Sequence, residues 1–192
     1  MLSDPSALGI VPDEGRGSLP FALIYGESLI SVATLGLEEA DITVLDPRTE
    51  WSYVVDCELA VVLHDPLCPL TPADFLTEAI AAANDGDHVV VGVRPVTDTV
   101  KRDHDGRLGE TIDRSQLREV TSPIVIPARI VAELSALPEG DFAAIAKDLA
   151  RFGVRELQAP PLARRVRSVD DIRLLEALGR SDRLEHELLG HR

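Results

Sequence analysis

Two unbroken apolar runs, separated by one strongly signalled helix, constrain this chain more than anything else in it. The first run is LAVVLH, Leu59 to His64, and the second is HVVVGV, His88 to Val93. Apolar runs without alternation suit strands covered on both faces, as parallel strands in an α/β sheet are. Between them, Thr71 stands at an N-cap position, Pro72 at the first helical position and Asp74 three residues after the cap. Phe75, Leu76, Ala79, Ile80 and Ala83 then recur on one helical face until NDGD, Asn84 to Asp87, stops the helix. Leu59 to Val93 is therefore a β-α-β unit, expected to cross over right-handed between parallel strands. Ligands in such folds sit beyond the C-terminal ends of the strands, where sequence position puts His64 and Asp65.

The flanking segments continue the alternation. Leu8 to Gly15 predicts a short buried strand running into a glycine-containing loop, Ser28 to Ala40 a helix, and Asp41 to Asp46 a strand. Downstream, Pro127 to Leu137 and Asp141 to Gly153 predict helices, the second ending on Gly153. Val154 to Ala159 predicts a late strand. A last helix starts at Ser168 as N-cap, with Asp171 in the capping-box position, and stops at Gly179. Thr99 to Arg114 differs in kind: mostly polar strands flank Asp105-Gly106, a pair suited to a tight hairpin turn. A polar hairpin should project from the body and rest on something. Together these elements predict an α/β sandwich with an inserted arm.

With 192 residues, one domain is the default, here residues 1–180 with an arm at about 97–116 and a charged tail over 181–192. Its core must be aliphatic, because 45% of residues are hydrophobic and only 4% aromatic. A net charge of -14 argues against nucleic acid as a partner but leaves room for a small phosphorylated ligand, which needs only local positive charge. Asp4, Asp13 and Glu14 surround a very short apolar stretch, unlike a secretory leader, and no apolar run reaches membrane-spanning length. Cys57 and Cys68 then read as reduced thiols, and the cytoplasm is the expected compartment.

His64-Asp65 ends a buried strand in a loop stiffened by Pro66 and Pro69. Two readings follow from the residues alone: a metal or phosphate site, or an ordinary polar turn.

Three ordered motifs, VVLHDPLCPLTPADF, VRPVTDTVKR and TIDRSQLREVTSPIVIP, resemble the 2-C-methyl-D-erythritol 4-phosphate cytidylyltransferases of isoprenoid precursor synthesis. The resemblance implies a Rossmann-like three-layer α/β sandwich with a mostly parallel sheet and a projecting hairpin, like nucleotide-diphospho-sugar transferases. It also implies a homodimer joined through the arm, with CTP and a small sugar-alcohol phosphate as ligands. In that chemistry the substrate phosphate attacks the α-phosphate of CTP, so charge neutralisation and alignment matter most.

By this resemblance Asp65 would hold Mg²⁺, Arg165 would fall on a catalytic lysine, and Arg114 and Ser122 would meet the substrate. Gly15 and Gly17 would belong to the nucleotide loop. His64 is expected to support the turn. Several positions depart from the family pattern. Cys68 replaces the loop arginine, Asp13 and Glu14 replace small residues, Pro20 stands near the expected lysine, and Ile124 replaces a glutamine. The segment that reads ribose and cytosine has no counterpart between Leu45 and Glu58. Arg114 beside Asp113 also reads as a solvated pair, and Arg164, Arg165 and Arg167 as a basic cluster before a capped helix. The expectation is thus a divergent family member with degraded or lost transfer activity. The alternatives are a homodimeric scaffold or regulator on the same fold, and a binder of another small phosphorylated molecule.

Overall fold

The computed structural model describes residues 6–96, 101–104, 107–111 and 117–189, and of these 101–104, 107–111 and 183–189 by their backbone alone. Among them, six strands form one sheet: β1 (Leu8–Ile10), β4 (Thr43–Leu45), β5 (Val61–Leu63), β6 (Val89–Pro95), β9 (Arg118–Ile126) and β10 (Val154–Gln158). Their order across the sheet is β10-β6-β9-β5-β1-β4. β1 pairs parallel with β4 and β5, and β10 parallel with β6, whereas β9 runs antiparallel between β5 and β6. The two strands of the predicted β-α-β unit are therefore not neighbours, because β9 lies between them.

Each face of the sheet is covered by helices, which gives the expected three layers. Val62, Val90 and Val125 pack with Ala33 and Leu37 of α1 (Leu29–Glu39) and with Leu76, Ala79, Ile80 and Ala83 of α3 (Ala73–Gly86). On the opposite face, Val61, Leu63, Val89, Val91 and Ile124 meet Val54 of α2 (Trp51–Asp56), Ile130 of α4 (Ala128–Val131) and Phe142, Ile145 and Leu149 of α5 (Phe142–Leu149). Neighbouring residues on one strand thus serve opposite layers, as strand geometry requires. Each fully buried Val, Leu or Ile contributes about 1.5–3 kcal/mol. Ser28 caps α1, its hydroxyl accepting from the Ser31 N–H at 3.2 Å.

Several expected boundaries move. Thr71 is not a side-chain cap for α3: its hydroxyl donates to the Cys68 carbonyl at 2.8 Å, and Pro72 occupies the cap position. α3 continues to Gly86, and Asp87 takes the left-handed conformation at its end. The predicted Pro127 to Leu137 helix is only the single turn of α4. The chain then bends so that the Leu134 carbonyl accepts from the Trp51 indole at 2.9 Å.

A final helix, α6 (Val169–Leu189), has the expected Ser168 N-cap, with the Asp171 N–H donating to Ser168 Oγ. The Asp171 carboxylate accepts from the Arg167 N–H rather than from the Ser168 N–H, and the helix does not stop at Gly179. A Cβ at Gly179 would lie 2.6 Å from Tyr25 Oη, so that glycine permits a close contact within the helix. The helix also passes the expected boundary at residue 180 without a break. The arm region contains an antiparallel pair, β7 (Lys101–His104) with β8 (Arg107–Thr111); Asp105, Gly106 and Arg114 lie outside the described residues. A second small pair, β2 (Leu23–Ile24) with β3 (Glu27–Ser28), precedes α1.

β9 shapes the candidate site most directly. Its register against β6 shifts between Val91 and Val93, opposite Ile124 and Val120, so β9 bulges at Thr121, Ser122 and Pro123. The bulge lets a proline sit in a central strand, where the ladder could not otherwise spare its N–H. It also brings the Ser122 carbonyl against Gly92, where a Cβ would lie 2.6 Å away. Gly92 thus makes room for the backbone that aims Ser122.

Candidate functional site

β5 ends at Leu63, and the His64 N–H still donates to the Ile10 carbonyl of β1 at 2.9 Å. The chain then turns tightly. The Asp65 carbonyl accepts from the Cys68 N–H at 2.8 Å, and Asp65 Oδ1 accepts from the Leu67 N–H at 3.0 Å. Asp65 is therefore a turn-former, with Pro66 holding the next backbone angle. The polar-turn reading is right as far as it goes.

The same carboxylate is also the centre of a buried ionic cluster. Arg16 Nε donates to Oδ1 at 3.0 Å and Arg165 Nε donates to Oδ2 at 2.9 Å. The Asp65 side chain is 1% exposed, Arg16 4% and Arg165 27%. Two remote segments deliver these cations. Gly15 and Gly17 adopt φ of 74° and 60°, with open space where a Cβ would be, so they turn the loop around Arg16. Arg16 Nη1 then donates to the Glu14 carbonyl at 2.7 Å, and its guanidinium lies 5.4 Å from the centroid of the Phe142 ring. On the other side, the Val166 N–H donates to the Leu67 carbonyl at 2.6 Å, which sets Arg165 opposite Asp65. Burial works against the Arg165 charge, but neighbouring Asp65 outweighs it and the guanidinium pKa is raised.

Beneath the cluster, Ser122 Oγ shares a hydrogen bond with His64 Nδ1 and accepts from the Asp65 N–H at 3.2 Å. His64 and Ser122 are fully buried, and His64 Nε2 has no partner among the described residues. Burial lowers the His64 pKa to about 4, partly offset by the Asp65 charge, so the imidazole is neutral near pH 7. Cys68 is also fully buried; burial first and Asp65 second push its thiol pKa well up. Where the family pattern has an arginine, this chain has a neutral group packed inward.

The predicted residues therefore separate. Asp65 and Arg165 meet. Gly15 and Gly17 flank Arg16 but line no close backbone contact of their own. Ser122, expected at a substrate, faces the interior of the loop, and Arg114 lies outside the described residues. Sequence reasoning missed Arg16. Its signal was available: it is the first Lys or Arg in the chain, set between two glycines, with none following until Arg48.

A divalent ion does not fit this donor set. Both oxygens of Asp65, the one carboxylate at which Mg²⁺ is expected, already accept from guanidinium groups. An incoming cation would also face two fixed positive charges. Two clefts open at the cluster and share Arg16. One, about 430 Å³, is lined by Glu14, Arg16, Leu67, Asp141, Arg165 and Arg167. The other, about 450 Å³, is bordered by Asp13, Glu14, Arg16, Asp46, Arg48 and Glu139, an acidic majority that disfavours a triphosphate. A larger groove of about 970 Å³ lies elsewhere, between Phe75, Arg94 and Pro160, and has no comparable convergence of cations among the described residues.

Fold and site together define an α/β protein of nucleotidyltransferase type, with a charged cluster at the strand ends. Residues 53–150 match the family described as IspD, 2-C-methyl-D-erythritol 4-phosphate cytidylyltransferase. The 2-C-methyl-D-erythritol 4-phosphate cytidylyltransferase of Rhodococcus jostii is 30% identical over 166 aligned positions, covering 81% of this chain and 73% of that protein. That of Saccharopolyspora erythraea is 28% identical over 223 aligned positions, covering 90% and 99%. Among solved structures, the same enzyme from Thermus thermophilus superposes with a TM-score of 0.68 at 19% identity, over 91% of this chain and 99% of that one, a likeness of fold. This chain belongs to the 2-C-methyl-D-erythritol 4-phosphate cytidylyltransferase family. The matched span begins at Tyr53 and ends at Ala150, and so leaves out both Arg16 and Arg165.

Proposed function

We propose that this protein is a binding member of its family, which engages a small phosphorylated ligand and has lost cytidylyl transfer. One observation carries the reading: Arg16 and Arg165 occupy both oxygens of Asp65, the carboxylate on which the family resemblance places Mg²⁺. The nucleotide side supports it, because Asp13, Glu14, Asp46 and Glu139 gather where a triphosphate would need cations. Cys68 supplies no charge where the resemblance expects an arginine, nor does Pro20 near the expected lysine. Removing one positioned electrostatic donor typically lowers turnover about 10²–10³-fold, and several are absent here.

The test is direct. Purified protein with CTP, Mg²⁺ and 2-C-methyl-D-erythritol 4-phosphate is expected to release no pyrophosphate above a protein-free control. Turnover that disappears in Asp65→Ala would defeat the proposal.

The assembly we propose is a homodimer joined through the arm that contains β7 and β8. A two-stranded polar pair that joins no larger sheet supports that reading, since an isolated two-stranded ribbon is only marginally stable in water. Light scattering should return twice the chain mass; a monomer at high protein concentration would count against the arm as a contact. The cytoplasm remains the proposed compartment, supported by two unpaired cysteines, Cys57 and Cys68. Among the described residues, no helix is long and apolar enough to cross a membrane.

A further inference from the structure

We infer that Asp65 acts as the positioning anion of a two-guanidinium receptor, and that Arg16 and Arg165 bind the oxyanion of a single phosphate group without a divalent ion. The inference deepens the binding role proposed above, rests on it and names its chemistry.

Three features support it. First, both arginines spend Nε on Asp65, which fixes each planar fork; Arg16 Nη1 is held by the Glu14 carbonyl, so Arg16 Nη2 and the terminal nitrogens of Arg165 remain for another acceptor. Second, Arg16 Nη2 is buried and has no hydrogen-bond partner among the described residues, although the Arg16 side chain is only 4% exposed. A buried donor of a charged group without an acceptor is unfavourable, and an oxyanion from the shared clefts would supply one. Third, Arg165 is 27% exposed and lines the 430 Å³ cleft together with Arg16, so the second guanidinium is accessible to a ligand that enters there.

The surroundings set the size of the ligand. Glu14 and Asp141 stand at the rim of that cleft, while the Arg167 guanidinium is already paired with Glu119. Asp141 is itself engaged, its carboxylate accepting from the Ala144 N–H at 2.8 Å as the cap of α5. Little positive charge is left beyond the two central guanidiniums. One phosphate group finds donors there, whereas a longer polyphosphate chain would extend toward carboxylates. Both inorganic phosphate and a small phosphomonoester carry the required chemistry.

The experiment measures thermal stabilisation and calorimetric binding of the full chain in EDTA. Inorganic phosphate is the first probe, glycerol 3-phosphate the second and CTP the comparison. Saturable stabilisation by phosphate or glycerol 3-phosphate is expected, exceeding that by CTP. Whichever of the two binds tighter identifies the source of the phosphate group. Arg16→Met and Arg165→Met should each weaken binding about tenfold or more, the loss of one charge-assisted hydrogen bond. Arg165→Met touches the more exposed arm of the cluster and keeps the test available should Arg16→Met fold poorly; Arg16→Lys should restore part of the loss. The inference is overturned by no phosphate-dependent stabilisation in EDTA. Binding that requires Mg²⁺, or affinity unchanged in both methionine variants, overturns it as well. Pyrophosphate release from CTP would defeat the loss of transfer yet leave EDTA-insensitive phosphate binding standing, so the two failures are distinguishable.

Discussion

Asp65→Ala is expected to destabilise the protein by roughly 3–5 kcal/mol, the range for removing one member of a buried ion pair. The substitution strips the acceptor from Arg16 Nε, from Arg165 Nε and from the Leu67 N–H in one step. Arg16 would suffer most, since its side chain is 4% exposed and cannot reach bulk water without moving the glycine loop. Against a typical domain stability of about 5–15 kcal/mol, this is a large fraction. The denaturation midpoint in urea, measured in EDTA, reads the effect. A carboxylate kept chiefly for a metal ion would behave oppositely, leaving metal-free stability unchanged or raised on its removal. A loss below about 1 kcal/mol, the usual worth of an exposed pair, would therefore reject the buried cluster. Replacing Asp65, Arg16 and Arg165 together with apolar residues of similar volume should be far milder than Asp65→Ala, because no charge is then left stranded.

The second large effect is a loss of stability in mild acid through His64. Its folded-state pKa is lowered from 6.5 to about 4, first by burial, with the Asp65 charge pulling the other way. Between these values the unfolded chain binds a proton that the folded chain refuses. Stability therefore rises with pH across that window and is flat above it. The contribution of this one group is about 2 kcal/mol between pH 7 and pH 5, and roughly 3 kcal/mol across the whole window. Urea unfolding at pH 7 and pH 5 should show a larger acid loss for the native chain than for His64→Asn, whose amide can still meet Ser122 but does not titrate. Equal losses in the two proteins would mean that His64 is not held neutral.

Much of the sheet was legible because its signals are local. Val61–Leu63 and Val89–Pro95 begin as unbroken apolar runs, and the helix between them repeats its apolar residues at helical spacing, so each element announces itself within a short window. β9 coincides with one of the family motifs, yet nothing local marks it as a central strand. Its Pro123 argues against such a place unless a bulge removes the need for an N–H, and that bulge depends on Gly92, roughly thirty residues earlier. Gly179 misled for a related reason: glycine both ends helices and admits close neighbours, and only Tyr25, remote in sequence, decides which.

The amino-acid order alone determined the layers, the β-α-β unit and the family, because hydrophobic periodicity and ordered motifs are written along the chain. It also placed Asp65 at the end of a strand. What Asp65 does there was decided in three dimensions. Arg16 arrives from 49 positions before it and Arg165 from 100 after, and no local pattern records that two guanidiniums share one carboxylate. Charge interactions depend on distance through space and on burial, and both come into being only when the strands are brought together.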